Sequence, residues 1–300
     1  MPIFTACSSR INPVLSPILA YIRAVEDDMT QTARRIVHIR GKDAVPFLQG
    51  LVSNDVLPLQ RGDGLIWTAL LTAQGKYLVD FFVGRQDGTL FLDLPEALAE
   101  DTLRRLSMYR LRADVSLTPS EWAVTRGVGA FPQGAMADPR HAALGWRAYG
   151  APVAAEPVDW DAIRVAHLIP ETGIELIPND SYLLECGFER LHGVDFRKGC
   201  YVGQEVTARM KHKTELRKGL ALVQLDQAVP LGTQLLAEGR EVGVIYTQSD
   251  GQAIAYVQFD KAVGEMVGGA AKVTRLTKGN DFSPKNLLPD FSAKNQSPMI

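Results

Sequence analysis

The spacing of hydrophobic and polar residues along the first two thirds of the chain predicts a mixture of strands and helices. Short apolar or alternating runs predict strands, over residues 35–40, 64–71, 77–83, 89–93, 111–117 and 122–128. Runs with apolar residues every three or four positions predict helices, over residues 44–52, 95–107, 181–192 and 204–210. Periodicity does not decide between helix and strand for residues 159–166. This succession of elements predicts an α+β region.

The pattern changes after residue 217, where short apolar runs alternate with glycine-containing turns. Five of these runs predict strands, over residues 219–225, 233–237, 241–247, 252–259 and 270–274. Short strands at this spacing are typical of a small β-barrel. We therefore expect an all-β domain to follow the α+β region.

These patterns divide the chain into four parts. Residues 29–215 form the predicted α+β region, with two lobes and an irregular link near 129–157 that is rich in Gly, Ala and Pro. Residues 216–276 form the predicted barrel. Residues 1–28 precede the patterned sequence, and we expect an extension outside the core. An organelle-targeting leader is the alternative, which the acids at 26–28 disfavour. Residues 277–300 are polar with scattered prolines, which predicts a flexible tail.

Composition narrows the class of protein. A hydrophobic content of 46% and a charged content of 22% are ordinary for a soluble globular protein. No run reaches the roughly 18 apolar residues of a membrane span, so we expect no membrane partner. Three cysteines, Cys7, Cys186 and Cys200, occur without a CxxC pair, which argues against a disulfide scaffold or a self-sufficient metal site. They indicate a reducing compartment, and we expect a cytoplasmic location.

The candidate chemistry is concentrated in residues 198–205, which read KGCYVGQE. Glycines allow unusual backbone conformations and close approach of a ligand, and the stretch adds a cation, a thiol, an amide and a carboxylate. Its basic flank contains two glutamates and seven cations, at 197, 198, 209, 211, 213, 217 and 218. The flank therefore carries +5, against −7 for the rest of the chain. It suits either a solvated face or an anion-binding rim.

The two most reactive groups of this stretch each have an ordinary alternative. Cys200 is either a small buried residue, as most free cysteines are, or an exposed reactive thiol beside Lys198. As a single thiol it could serve as a nucleophile, as a redox-sensitive group, or as one ligand of a cluster shared with a partner. Lys198 either forms a local ion pair or binds an anionic ligand.

Several motifs in the same order resemble the YgfZ family, relatives of the aminomethyltransferase (T-protein) of the glycine cleavage system. The likeness covers roughly residues 34–225 and rests on IRGKDAVPFLQGLVSNDV, LLTAQGKYLVDFFV, MYRLRADV, PND-YLLE and KGCYVGQEVTARMKH. The resemblance implies an α+β, three-lobed fold around a central channel that binds tetrahydrofolate, with a small C-terminal β-barrel. It also implies support of iron–sulfur enzymes, including one that thiolates tRNA, with iron–sulfur client proteins or assembly factors as partners.

The resemblance implies roles for particular residues. The expected catalytic residues are Cys200 and Asp80, and no metal site is expected. The expected folate-binding residues are Lys198, Gly199, Tyr201, Gly203, Gln204, Glu205, Arg209, Asn54, Asp55, Tyr109 and Arg110. Asp80 is a candidate general acid or base. The aminomethyltransferase pattern tends to carry two adjacent acids here, and Val79 occupies the first of these positions.

The leading hypothesis is a tetrahydrofolate-binding protein that maintains iron–sulfur proteins. The first alternative is a folate-dependent aminomethyl- or methyltransferase that uses Asp80, and the sequence leaves open whether any reaction is catalysed. The second is an RNA-binding regulator that uses the basic flank. Direct nucleic-acid binding is not expected, because the net charge is −2 and basic–aromatic interleaving is limited to Tyr201.

Overall fold

The computed structural model describes residues 33–212 and 215–276, and it contains three β-sheets. The predicted extension at 1–28 and the predicted tail at 277–300 lie outside these ranges. Within them, no helix is both apolar and long enough to cross a membrane.

The first sheet has five antiparallel strands in the order β2-β3-β4-β1-β5. Its strands are β1 (Arg34–Arg40), β2 (Gly64–Leu71), β3 (Tyr77–Gln86), β4 (Thr89–Pro95) and β5 (Ser116–Pro119). Helices α1 (Ala44–Gln49) and α2 (Glu96–Arg110) share one hydrophobic core with Phe81 and Val83 of β3. Since neighbouring strand residues point to opposite faces, Asp80 and Phe82 project away from these helices.

The predicted strand at 111–117 begins too early. Helix α2 continues to Arg110, and Leu111 ends it with a φ of +45°. The residues that follow Leu111 form the turn from the helix back to the sheet, so β5 starts only at Ser116.

A second, three-stranded sheet has the order β6-β8-β7. Its strands are β6 (Ala123–Gly127), β7 (Met136–Ala137) and β8 (Trp146–Gly150). Helix α3 (Trp160–His167) follows, and the Asp159 side chain accepts a hydrogen bond from Ala162 N at its start.

The predicted helix at 181–192 is wrong. The chain between α3 and α4 (Gln204–His212), which is described throughout, forms turns and isolated bridges without a regular helix. Gly187 takes a φ of +77°, which interrupts helical hydrogen bonding. Leu184, Phe188 and Leu191 are nevertheless buried, in the hydrophobic cluster that also contains Trp67 and Tyr77. Their helix-like spacing therefore arises from burial and does not indicate a helix.

The last sheet is a closed six-stranded barrel in the order β10-β11-β12-β9-β14-β13. Its strands are β9 (Lys218–Leu225), β10 (Thr233–Ala237), β11 (Arg240–Ser249), β12 (Gln252–Gln258), β13 (Glu265–Gly268) and β14 (Ala271–Arg275). The barrel has a separate hydrophobic core. The sequence predicted five strands and missed β13, whose four residues give too short a pattern.

Buried polar contacts join the barrel to the rest of the molecule. Arg164 of α3 lies 3.0 Å from Glu175 and donates to Thr247 Oγ1 of β11 at 2.5 Å. Thr247 Oγ1 in turn donates to Glu175 Oε1 at 2.6 Å. A second contact runs from Tyr256 OH to Glu185 Oε2, at 2.6 Å. These bonds fix the barrel against the segment that leads to residues 198–205.

Candidate functional site

Lys198 anchors the signature loop, which we define as residues 198–205. Its Nζ donates to the backbone oxygens of Gln49 at 2.8 Å, Asn54 at 3.0 Å and Val52, all at or just after the end of α1. Burial lowers the pKa of Lys198 to about 8. The expected role of Lys198 on an anion-binding rim is therefore corrected, because the ammonium group faces backbone carbonyls inside the protein.

The two glycines of the signature loop have different surroundings. Gly203 has a φ of +82°, and a Cβ added there would lie 2.5 Å from Thr72 O. Gly75 approaches from the facing turn, where an added Cβ would lie 2.8 Å from Val206 Cβ. A Cβ added at Gly199 would meet nothing within 4 Å. The close approach at Gly203 is to backbone rather than to a ligand, and it fixes the loop at that end.

Cys200 lies between these anchors and is exposed. Of the two cysteines in the described ranges, only Cys186 is buried, and burial raises the pKa of its thiol well above the usual range. The alternative of a small buried residue at Cys200 is therefore excluded. The loop presents one thiol to solvent from a backbone held at both ends.

The other polar and aromatic residues of the signature loop, and the basic residues after it, interact with nearby protein groups. Tyr201 is buried, with its ring centre 4.9 Å from Lys198 Nζ. Gln204 and Glu205 open α4, where Glu205 pairs with Arg209 at 2.6 Å on the surface. Lys211 pairs with Glu189, and Lys213 lies outside the described residues. Much of the basic flank thus behaves as a solvated face with local ion pairs.

A cavity of about 670 Å³ opens near the signature loop. We call it the Asn54 cavity; its lining is Asn54, Asp55, Pro58, Leu65, Ile66, Trp67, Pro139, Glu189, His192, Val194, Asp195, Phe196 and Arg197. Asn54 Nδ2 donates to the backbone oxygens of Trp67 and His192, at 2.8 and 2.6 Å. The cavity thus combines apolar walls with polar groups at its edge, and it includes two of the predicted folate-binding residues.

Asp80 lies behind the wall of this cavity and is only 4% exposed. Its carboxylate accepts hydrogen bonds from Trp67 Nε1 at 2.8 Å, Tyr77 OH at 2.7 Å and Thr172 Oγ1 at 2.6 Å. Trp67 also stacks on Phe188, with ring centres 4.2 Å apart. Asp80 therefore positions the indole of Trp67, and the expected proton-handling role is corrected because three donors already occupy the carboxylate.

Tyr109 and Arg110 lie away from the Asn54 cavity, at the end of α2. Tyr109 is half exposed and lines a separate surface groove with Val202 of the signature loop. Arg110 Nη1 lies 3.4 Å from Val115 O. The structure therefore does not bring these two residues together with Asn54 and Asp55.

Sequence analysis missed a cluster of buried charges beside Phe82. Asp93 lies 2.6 Å from both Arg34 and Arg147. Burial favours the neutral acid, but the two guanidinium groups outweigh it and lower the pKa of Asp93 to about 2. Arg147 also lies 4.1 Å from the centre of the Phe82 ring. Arg34, Asp93 and Arg147 lie on strands β1, β4 and β8, which are far apart in the sequence. The sequence alone therefore carries no signal of the cluster.

No group of three or more His, Cys, Asp or Glu side chains is arranged to hold a metal ion within residues 33–212 and 215–276. Any cluster that uses Cys200 would need ligands from another molecule, since iron–sulfur centres usually have about four protein ligands.

The fold is confirmed by comparison with known proteins. The crystal structure of the glycine cleavage system aminomethyltransferase T from Bartonella henselae superposes with a TM-score of 0.64 and 13% identity, covering 83% of each chain. A family model described as the CAF17 C-terminal β-barrel domain matches residues 217–277. Together these findings establish the predicted α+β fold with a C-terminal barrel.

Three similar proteins are iron–sulfur cluster assembly factors described as mitochondrial. IBA57 of Mus musculus is 32% identical over 260 residues, covering 73% of this chain and 71% of that protein. IBA57 of Homo sapiens is 29% identical over 276 residues, covering 78% of each. The IBA57 homologue of Mycosarcoma maydis is 32% identical over 218 residues, and the match spans 62% of this chain but only 54% of that relative.

These relatives contradict the expected cytoplasmic location. The expectation rested on sparse, unpaired cysteines, which indicate a reducing environment. Such cysteines do not distinguish one reducing compartment from another, so the inference was too narrow.

Proposed function

Because this chain belongs to the IBA57 family of iron–sulfur cluster assembly factors, we propose that it supports the assembly or repair of iron–sulfur enzymes. The YgfZ resemblance is consistent with this role, although IBA57 is the more specific family. Tetrahydrofolate binding and support of a tRNA-modifying enzyme are further parts of the proposal.

The exposed thiol of Cys200 is the observation that carries the proposal. Lys198 and Gly203 fix the loop on either side of it, so the sulfur has a defined position in solvent. One thiolate can supply one of the roughly four ligands that a cluster needs. A client or assembly partner would supply the others, which suits transient assembly better than a resident cluster.

The size and lining of the Asn54 cavity support the folate part of the proposal. Its volume of about 670 Å³ lies within the range of roughly 300–1,000 Å³ that is typical of small-molecule sites. Leu65 and Phe196 offer apolar walls for flat rings. Arg197, which is largely exposed and lies 4.0 Å from Asp195, offers a cation for glutamate carboxylates. A bound tetrahydrofolate would carry one-carbon units, and the residues named here would bind and orient it.

Aminomethyl transfer through Asp80 is not proposed. The three donors around that carboxylate support a structural role, and an acid or base must reach the proton that it transfers.

The thiol is tested by complementation in cells that lack their own family member, with the activity of iron–sulfur enzymes as the measurement. We expect Cys200→Ser to fail, since serine is a poor replacement for a thiolate ligand. Gly199→Ala is the matched control from the same loop and should rescue, because its added methyl group meets nothing. Full rescue by Cys200→Ser would overturn the proposed role of the thiol.

Folate binding is tested separately by titration of the purified chain with tetrahydrofolate. We expect saturation well below millimolar concentration and binding about tenfold weaker in Arg197→Glu, where a favourable charge becomes unfavourable. Arg240→Glu, an exposed change on β11, should bind as the wild type does. Absence of binding below the millimolar range in the wild type would overturn the folate part alone.

A further inference from the structure

Large apolar side chains are exposed at the end of α2. Met108 is 61% exposed, Tyr109 50% and Leu111 89%. Three of the nine exposed large hydrophobic residues in the described ranges thus fall within four positions. Scattered exposed apolar residues need no explanation, but a contiguous group of them marks an interaction surface.

Leu111 also has an unusual backbone conformation. Its φ of +45° lies in the left-handed region, which is unfavourable for a residue with a branched side chain. Strained conformations of this kind persist where the surrounding structure imposes them, and they cluster at functional sites.

A groove of about 210 Å³ is lined by one of these side chains, that of Tyr109. We call it the Tyr109 groove; its lining is Leu51, Leu70, Leu71, Thr72, Ala73, Leu78, Arg105, Tyr109 and Val202. Val202 belongs to the signature loop and follows the exposed Cys200 by two residues. The groove and the thiol are therefore neighbouring parts of one surface.

The charge beside the groove is positive. Residues 104–112 contain four arginines and no acidic residue. Arg104 and Arg105 both pair with Asp101 on the preceding turn of α2, and the distance from Arg105 is 2.9 Å. This single carboxylate offsets only one of the four positive charges. A second copy docked through the same face would bring an equally basic surface to the groove, so electrostatics disfavour this symmetric pairing and favour an acidic partner.

We propose that the Tyr109 groove and the exposed Met108 and Leu111 form a docking surface for a protein partner. The partner presents an apolar side chain flanked by carboxylates: the apolar group enters the groove and the carboxylates meet the arginines of α2. Docking at Val202 brings the partner's surface to Cys200. This inference rests on the proposed function, because the partner is taken to be an iron–sulfur client or assembly protein.

The docking surface is tested with Leu111→Glu and Arg112→Glu, which we call the groove-side variants because they closely follow Tyr109 in the chain. The matched control is Val263→Glu, which changes a 58% exposed apolar residue in the barrel part of the chain. In the complementation assay we expect the two groove-side variants to lower iron–sulfur enzyme activity at least about fivefold, as loss of an interface anchor does. Val263→Glu should rescue fully. All three should keep the wild-type unfolding temperature and tetrahydrofolate affinity.

A photo-crosslinking amino acid at position 108 identifies the occupant. We expect an adduct with an acidic iron–sulfur or assembly protein that is lost in Leu111→Glu and weakened at high salt. The same probe at position 263 should not give this adduct. An adduct with a second copy of the chain, or full rescue by both groove-side variants, would overturn the inference.

The Cys200→Ser variant keeps the two proposals distinguishable. If Cys200→Ser fails and both groove-side variants rescue, only the docking surface is wrong. If Cys200→Ser also rescues, the proposed role of the thiol is wrong as well.

Discussion

Lys198 places a cationic side chain among backbone oxygens that belong to residues about 150 positions earlier in the chain. In Lys198→Met these carbonyl groups lose a shared donor. We expect the free energy of unfolding to fall by about 1–3 kcal/mol, the range for buried polar groups left unpaired. Urea denaturation measures the loss, and Lys42→Met, an exposed change, should be within about 0.5 kcal/mol of the wild type.

The same residue predicts a dependence on pH. Burial lowers the pKa of Lys198 to about 8, whereas a lysine in an unfolded chain has a pKa of about 10.4. Between these values the unfolded chain binds more protons, so folding stability from this group rises with pH. The stability difference between the wild type and Lys198→Met should therefore widen from about pH 8 to 10. An unchanged difference would show that the amine titrates as if exposed.

At the residue scale, one of the two alternatives weighed for Cys200, an exposed thiol, is found in the structure, whereas the contacts of Lys198 and Asp80 were not predicted. Cys200 stood out because a thiol between glycines is rarely a packing residue. Lys198 and Asp80 were assigned to a ligand because their protein partners cannot be seen locally. Thr172, which donates to Asp80, lies 92 positions away along the chain.

The signature loop and the turn at Gly75 meet through glycines, and this contact gives a test at the scale of the element. Gly203→Ala would force a methyl group to within 2.5 Å of Thr72 O at a positive φ. We expect a loss of about 1–3 kcal/mol of stability and a changed rate of Cys200 modification by a thiol reagent. Gly199→Ala should leave both unchanged. Equal behaviour of the two variants would contradict the close packing at Gly203.

Elements whose structure is determined by their own residue types could be predicted from the sequence. The β3–β4 hairpin turns at Asp87 and Gly88, both of which have positive φ, as their residue types indicate. The segment 181–192 has helix-like spacing of leucines, yet it folds as successive turns. Its apolar residues are buried by neighbours distant in sequence, and periodicity cannot distinguish that burial from a helix.

At the scale of the whole molecule, the contacts of Thr247 couple the barrel to α3. Thr247→Val removes the hydroxyl that accepts from Arg164 and donates to Glu175. We expect a loss of about 1–3 kcal/mol by urea denaturation, because two buried charged groups each lose a partner. Lys272→Met removes an exposed pair with Glu265 and should cost less than about 1 kcal/mol. A loss no larger than that of the control would show that the network does not secure the barrel.

The overall architecture could be predicted because several motifs occur in a fixed order along the chain. The buried charges around Asp93 could not, since Arg34, Asp93 and Arg147 come together only when two sheets pack. From the sequence alone, a charged strand residue that will be buried cannot be distinguished from one that will face water.

The signature loop is held in place by Lys198 on one side and Gly203 on the other, while Cys200 between them is exposed to solvent. Substitution of the sulfur therefore leaves the stability of the fold unchanged, whereas substitution of Lys198 or Gly203 lowers it. With the proposed role of the thiol, inherited changes at these neighbouring positions would harm the cell by different routes: one yields an abundant but inert protein, and the other yields less folded protein.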